Sequence, residues 1–432
     1  MVAKLKNILY FPIASYFSFF AKIRLIIWNP LVIVVTGSSG KTTLLHMLEA
    51  QLGSSAKYSY HANSSYGIPF DLLNLHRSKF SFTEWIRFAI KAPLMVFMKT
   101  FEHRIYVVEA DCDRPGEGKF LARLLNPNIV LWLNSANTHS MNFDRLRNNG
   151  SDKKYDKTNI NELIAYEFGY FLEYCRELVL VNGDIPHQMK QIKRLRKNTK
   201  VRVINKDSLK KYKVNIDGTV FITDKINYNF KALLPEETFY SAKMTEELLL
   251  YLNKSFDPGF ASFNLPPGRS TVLRGKNGIT IIDSSYNANL SSMKTILHMF
   301  DKLPGKEKWL VLGDMLELGK SEKSDHIKLA ELILNMKVSK VILVGELLSK
   351  YTYPLLVENI DTLKFDNAGL VLDFITEHQM HDNLILFKGS QSIKLEGIIE
   401  KLLLDKFDIM KLPRRGEFWD NWRKSSGITT NN

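Results

Sequence analysis

The stretch "VVTGSSGKTT", residues 34–43, decides the fold: a β-branched run breaks at a Gly-Ser-Ser-Gly turn, and Lys41 with two threonines opens a helix. Glycines let the backbone approach an anion closely, and successive N–H groups with a helix N-terminus supply the positive potential that holds it. The pattern is a short phosphate loop, G-x-x-G-K-T-T from Gly37, with Val35 where the longer form has its first glycine. In this reading Gly37, Ser38, Ser39, Gly40, Lys41, Thr42 and Thr43 cradle a nucleoside triphosphate. Lys41 reaches the outer phosphates and the Thr42 hydroxyl sits on magnesium. Kinases, NTPase switches and ligases all share such a loop, so the rest of the chain must choose.

Working outward, "LVIVV" (31–35) reads as a buried parallel strand and "TTLLHMLEAQLG" as the helix after it, ended by Gly53. "RIYVVEAD" (104–111), "PNIVLWLN" (127–134) and "RELVLVNGD" (176–184) are further strand-type runs separated by helical patterns. Residues 200–235 read as antiparallel. A second set follows: "GITIID" (278–283), "KWLVLGD" (308–314), "KVILVG" (340–345) and "NLILFKGS" (383–390), with Pro-Pro-Gly at 266–268 as the boundary. The expected fold class is α/β. An N-terminal helical segment spans 1–30, and a P-loop ATP-binding domain with a mostly parallel sheet spans 31–265. A Rossmann-like α/β domain spans 266–412, and a peripheral tail 413–432.

The bulk numbers bound the partners. At 432 residues the chain builds two or three cores, and 45% hydrophobic with 24% charged residues is ordinary for a globular protein. Two cysteines, Cys112 and Cys175, make no disulfide framework, which fits a cytoplasmic protein. The formal charge of +14 concerns partners rather than fold. Its densest run, "KQIKRLRKNTKVR" (190–202), reads either as a solvated face or as an attractor for anionic lipid or phosphorylated substrate. No zinc-finger or RNP-like motif supports nucleic acid. "ILYFPIASYFSFFA" (8–21) is apolar, and Lys22 and Arg24 interrupt it short of a bilayer span. It reads as a helix packed on the protein's own surface, or as one lying at the inner face of the membrane.

Several further motifs, in order, resemble the Mur ligase family, in particular the branch that adds D-alanyl-D-alanine to a muramoyl tripeptide. "NSSYGIPFDLL" (63–73) resembles the segment after the ATP loop, and "VVEADCDRPGEG" (107–118) the strand ending in a magnesium-linked glutamate, here Glu109. "NPNIVLWLNSANTHSMNF" (126–143) resembles the strand leading to a histidine, here His139. "PPGRSTVL", "IIDSSYNANLSSM" (281–293), "VLGDMLELG" (311–319) and "FKGSQSIKLE" (387–396) resemble the C-terminal domain's motifs. The resemblance implies an ATP- and Mg2+-dependent amide ligase that activates a carboxylate as an acyl phosphate for attack by an amino acid or dipeptide amine. Cell-wall precursor synthesis is the default setting. It implies catalytic and metal roles for Lys41, Thr42, Glu109 and His139, and nucleotide contacts from Arg269 and Asn287.

Each residue also has a plainer reading: a solvated strand end for Glu109, a turn or core histidine for His139, a loop cap for Arg269 and turn chemistry for Asn287. Asp314, Glu317 and Lys388 are left without a role. The family pattern is also departed from. The family's UDP-gripping N-terminal domain would precede the loop where 30 residues stand here, so a lipid-linked acceptor or a partner subunit is an expectation. A carbamylated lysine falls at Phe168 or Lys157, depending on register. Ser284 replaces a family aspartate, and "LPEETFYSAKMTEELL" (234–249) lacks a family His-Asn pattern. The alternatives kept open are a ligase for a non-muramoyl acceptor, such as a poly-amino-acid, and an ATP-binding partner protein without catalysis.

Overall fold

The Val/Ile run becomes β1 (Leu31–Thr36), and its alternation explains the layers around it. The computed structural model describes residues 2–60, 62–77, 82–136, 142–143, 160–305, 307–377, 381–415 and 419. Val32 and Val34 face one apolar layer, Ile33 and Val35 the other, as the two-residue strand period requires. A strand covered on both faces must be apolar throughout, which is why "LVIVV" shows no polar alternation.

Among the described residues the strands form three sheets. The first unit comprises residues 1–208 and 238–263. Its sheet adds β2 (Ala56–Tyr58), β3 (Ile105–Ala110), β4 (Ile129–Trp132), β5 (Leu178–Asn182) and β6 (Lys200–Ile204) in the order β2-β3-β1-β4-β5-β6. Every pairing is parallel. The chain leaves β1 toward β2 on one side and leaves β4 toward β5 on the other. The C-terminal ends of β1 and β4 therefore flank a topological switch point, where parallel α/β sheets bind ligands.

One face carries α1 (Val2–Trp28), α3 (Gly67–Leu72), α4 (Phe82–Met95), α5 (Glu117–Leu125) and the helices Ile160–Phe168 and Tyr170–Tyr174. The other carries α2 (Lys41–Leu52) and the helix Phe239–Tyr251. Lys22 and Arg24, expected to cut the apolar run short of a bilayer span, lie inside one continuous helix, α1, whose Leu9–Trp28 stretch is long and apolar enough to cross a membrane. Arg24 is buried and its guanidinium donates to the carbonyls of Met95, the last residue of α4, and Lys99 (3.1 Å to the latter). Carbonyls at and just past a helix C-terminus are a favourable place for a cation. Residues 200–204, expected as antiparallel, instead extend the parallel sheet as β6.

The second unit comprises residues 209–237 and 264–432. Antiparallel β7 (Lys211–Asn215), β8 (Gly218–Ile222) and β9 (Asn227–Phe230) form a small sheet. Residues 209–237, expected within the central block, are compact with the second unit: Leu233 joins its core and Glu236 pairs with Lys302 at 2.9 Å. The larger sheet is β10 (Thr271–Arg274), β11 (Thr280–Asp283), β15 (Leu384–Lys388), β12 (Lys308–Gly313), β13 (Lys340–Val344) and β14 (Thr362–Phe365), in that order. All pairs are parallel except antiparallel β10–β11. Pro413 and Arg414, expected in a peripheral tail, are buried.

Candidate active site

At the end of β1 the Thr36 hydroxyl donates to the Ala110 carbonyl (2.7 Å), tying β1 to the end of β3. The loop then turns through two left-handed glycines, Gly37 (φ 139°) and Gly40 (φ 81°). A Cβ on Gly37 would stand 3.0 Å from the backbone N and O of Asn134, so this position demands glycine twice over. Asn134, just past β4, fastens the loop across the switch point. Its Oδ1 accepts the Ser39 N–H (2.9 Å), its Nδ2 donates to the Ser39 carbonyl (3.0 Å), and its own carbonyl accepts the Ser38 N–H (3.1 Å). The Ser38 hydroxyl completes the clasp on Ala136. Ser38 and Ser39 are so engaged, and the loop ends in the first turn of α2, where Lys41, Thr42 and Thr43 stand.

The Lys41 side chain folds back into the crevice. Its ammonium donates to the Gly37 carbonyl (2.6 Å) and pairs with Asp111 at 2.8 Å. Burial pulls the Lys41 pKa down, but Asp111, with Glu109 and Asp113 adding to it, outweighs burial and holds the amine above its usual range. A buried lysine that stays charged is what an anion site needs. Glu109 lies opposite Val35 in the β1–β3 register, is buried, and donates its N–H to the Ser59 hydroxyl (3.0 Å). The structure thus brings the loop, Lys41 and Glu109 together at one sheet end. His139 and Lys157 lie outside the described residues. Phe168 is core, packed on Trp132 (ring centroids 6.1 Å apart).

Glu117 was not singled out in the sequence, yet its buried carboxylate joins two motif segments. It accepts the Ser65 N–H (2.9 Å) and hydroxyl (2.7 Å), and the Asp113 N–H (3.2 Å). Tyr10 of α1 also donates to it (3.2 Å), and the Arg114 guanidinium lies 3.7 Å from the centre of the Tyr10 ring. Asp111, Glu117 and Asn134 left no local signal, because their roles exist only across neighbouring strand ends.

In the second unit the matching motifs meet at the C-terminal ends of β11 and β15. Arg269 follows left-handed Gly268 (φ 76°) and stacks over Tyr286 at 4.5 Å. Asn287 is exposed; its side chain accepts the Ala288 N–H (2.9 Å) and its carbonyl accepts the Lys388 ammonium (2.8 Å). Burial, helped by nearby Arg269, pushes Lys388 down to about 7. Asn289 is a helix cap, exchanging hydrogen bonds with Ser292 in a capping box. Asp314 accepts the Leu347 and Leu348 N–H groups, and His326 accepts the Met315 N–H, so both brace the "GDMLELG" turn from within. Ser284, the departure from the family pattern, is buried beside Asp283.

Asp283 is fully buried, and burial raises its carboxyl to about 6 despite the Ser285 N–H it accepts at 2.9 Å. Its folded pKa lies above its unfolded value, so folding favours the protonated form. The cost of ionising it is absent below about pH 4, grows up to about pH 6 and is complete above. Asp283→Asn is therefore expected to gain up to about 3 kcal/mol in unfolding free energy at pH 7.5 and nothing at pH 4. Urea unfolding of both proteins across that range reads the gap, and a gap independent of pH would contradict the assignment.

Residues 35–235 match the Mur ligase middle domain and residues 268–391 the Mur ligase glutamate ligase domain. The UDP-N-acetylmuramoyl-tripeptide--D-alanyl-D-alanine ligase of Bacillus subtilis is 26% identical over 379 residues, covering 86% of this chain and 76% of that protein. The enzyme of that description from Rickettsia prowazekii is 26% identical over 395 residues, covering 85% and 77%. The crystal structure of MurF ligase from Thermotoga maritima in complex with ADP aligns with a TM-score of 0.71 at 21% identity, covering 92% of this chain and 84% of that one.

Proposed function

This chain belongs to the Mur ligase family, and we propose that it joins D-alanyl-D-alanine to a UDP-muramoyl tripeptide with consumption of ATP, in the cytoplasm. The observation that carries the reading is Lys41: a buried, charged amine on a glycine loop at the switch point, beside Asp111 and Glu109. A carboxylate alone is a poor acylating agent, because its leaving group would be oxide. One acceptor oxygen attacks the γ-phosphorus, ADP departs, and an acyl phosphate forms. The dipeptide's neutral amine then adds to the carbonyl carbon, phosphate leaves with the C–O electron pair, and the amine's surplus proton passes to water.

Such phosphoryl transfer needs positioning and charge neutralisation more than a covalent catalyst. Lys41 would exchange Asp111 for the outer phosphates, and the first-turn amides of α2 would line the same anion. Thr42 and Glu109 offer a hydroxyl and a carboxylate, hard oxygen donors of the kind magnesium takes in ones and twos beside phosphates. When bound there, the ion neutralises phosphate charge. Arg269 and Asn287 are the second unit's nucleotide contacts in this reading.

The test is phosphate release from ATP by the isolated chain, with UDP-muramoyl tripeptide and D-alanyl-D-alanine supplied separately and together. Release that needs both, matched by the amide product in mass spectrometry, is expected, and it would make a partner subunit unnecessary. Release that instead follows a poly-glutamate acceptor, or nucleotide binding without acceptor-dependent release, would overturn the reading.

A further inference from the structure

We propose that α1 and α4 together form a docking face for an anionic membrane surface, on which the protein lies with both helices in the plane of the bilayer. The two helices lie side by side in the first unit: the Tyr16 hydroxyl donates to the Ala89 carbonyl (2.8 Å), and Arg24 reaches the carbonyls at and just past the end of α4. Each has already filled its inner face. Ala14, Phe17, Ala21, Leu25 and Trp28 of α1 enter the core, as do Phe88 and Ala92 of α4 with Val96 just beyond it. The outer faces are nevertheless apolar. On α4, Phe82 (79% exposed), Ile86, Ile90 (65%) and Leu94 recur every fourth residue, and Phe97 (87%) and Met98 continue the patch in the next turn. On α1, Ile13, Tyr16, Phe19 and Ile26 are exposed.

Single exposed apolar residues need no explanation, whereas a contiguous patch over two neighbouring helices does. The charge around it selects the occupant. Residues 1–30 contain Lys4, Lys6, Lys22 and the buried Arg24 and no acid, and Arg87 and Lys91 outnumber Glu84 along α4, while Lys99 beyond it pairs with Glu102 at 2.7 Å. Lys22, Arg87 and Lys91 are exposed at their positions. Apolar side chains flanked by lysine and arginine, with aromatics among them, match a headgroup boundary carrying negative lipid. A partner protein of ordinary surface would leave this excess of one sign uncompensated.

Leu9–Trp28 is long and apolar enough to cross a bilayer. Spanning would, however, pull Phe17, Ala21 and Leu25 out of the core and strip Arg24 of its carbonyls. The docked arrangement keeps both, so the helix lies flat. The inference stands apart from the ligase reading, since vesicle binding and turnover are measured separately.

The test is co-sedimentation of the full chain with vesicles of phosphatidylglycerol and phosphatidylcholine, against phosphatidylcholine alone. Wild type is expected to pellet with the anionic vesicles, more weakly with neutral ones, and to leave them in alkaline carbonate. Ile90→Glu/Phe97→Glu, at exposed positions, is expected to lose affinity by about tenfold or more with an unchanged circular dichroism spectrum and unchanged phosphate release. Arg87→Glu/Lys91→Glu gives an independent variant that touches no apolar residue and is expected to lose the preference for anionic vesicles. Equal pelleting of wild type and both variants, or no pelleting, would overturn the proposal. So would carbonate resistance, which means a crossing helix, or a dimer in gel filtration that Ile90→Glu/Phe97→Glu dissolves, which means a second copy on this face.

Discussion

Lys41→Ala is expected to lower turnover by about a thousandfold or more, the scale on which a single buried charge aimed at a transferring phosphoryl group acts. The amine sits between the Gly37 carbonyl and Asp111, charged although buried. Removing it takes away the cation and leaves Asp111 and Glu109 facing the phosphates with their repulsion unopposed. Both kcat and nucleotide affinity should therefore fall, read as phosphate release under saturating substrates and as nucleotide binding by calorimetry. Lys41→Arg should rescue little, because a planar guanidinium cannot enter a slot that closes on the ammonium at 2.6 and 2.8 Å. The Lys41→Ala melting curve separates this from unfolding. Near-normal turnover in the alanine variant would refute the role given to the loop.

Arg414→Ala is expected to destabilise the second unit by about 3–5 kcal/mol, as breaking one side of a buried pair does. Arg414 grips Glu396 with two parallel bonds (2.8 and 2.6 Å), both side chains are buried, and its other N–H groups donate to the carbonyls of Tyr286 (2.9 Å) and Ser285 (3.1 Å). The alanine variant leaves a carboxylate in the core and two loop carbonyls without these donors. A double variant, Arg414→Met/Glu396→Leu, should recover most of the stability, because the stranded charge is gone. It should not recover the loop that carries Tyr286 and Asn287. Raised KM values with stability restored are thus the expected signature, measured by thermal unfolding beside initial rates. A fully active double variant would limit Arg414 to a structural part.

How much of this was legible in the chain follows from the range of the interactions involved. The phosphate loop, its strand and its helix could be read because glycine turns, β-branched runs and helix starts are local signals within residues 31–53. Most strands of the parallel sheet were legible for the same reason, as short apolar runs; β2, three residues with a lysine in the middle, was not. β14, with three of its four residues half-buried or exposed, gave no such run. β6 was read as antiparallel together with the alternating strands after it; its own sequence, KVRVI, fits an exposed edge, which it is, without revealing the direction of its neighbour. Asn134, Asp111 and Glu117 are ordinary polar residues until segments 52 to 95 positions apart converge. Arg414 was read as part of a peripheral tail, since nothing near it in sequence reveals that Glu396 waits in the core.

The excursion of residues 209–237 has a genetic consequence. The backbone changes units after Ser208, after Glu237 and again after Phe263, so neither half corresponds to one uninterrupted stretch of codons. A gene fragment beginning at Asn264 would omit Leu233 and the three small strands, leaving a hole where they seat. A recombination event swapping the C-terminal half between relatives would have to exchange two separate segments at once, and a single protease cut at any one of the three crossings would leave the other two still joining the halves.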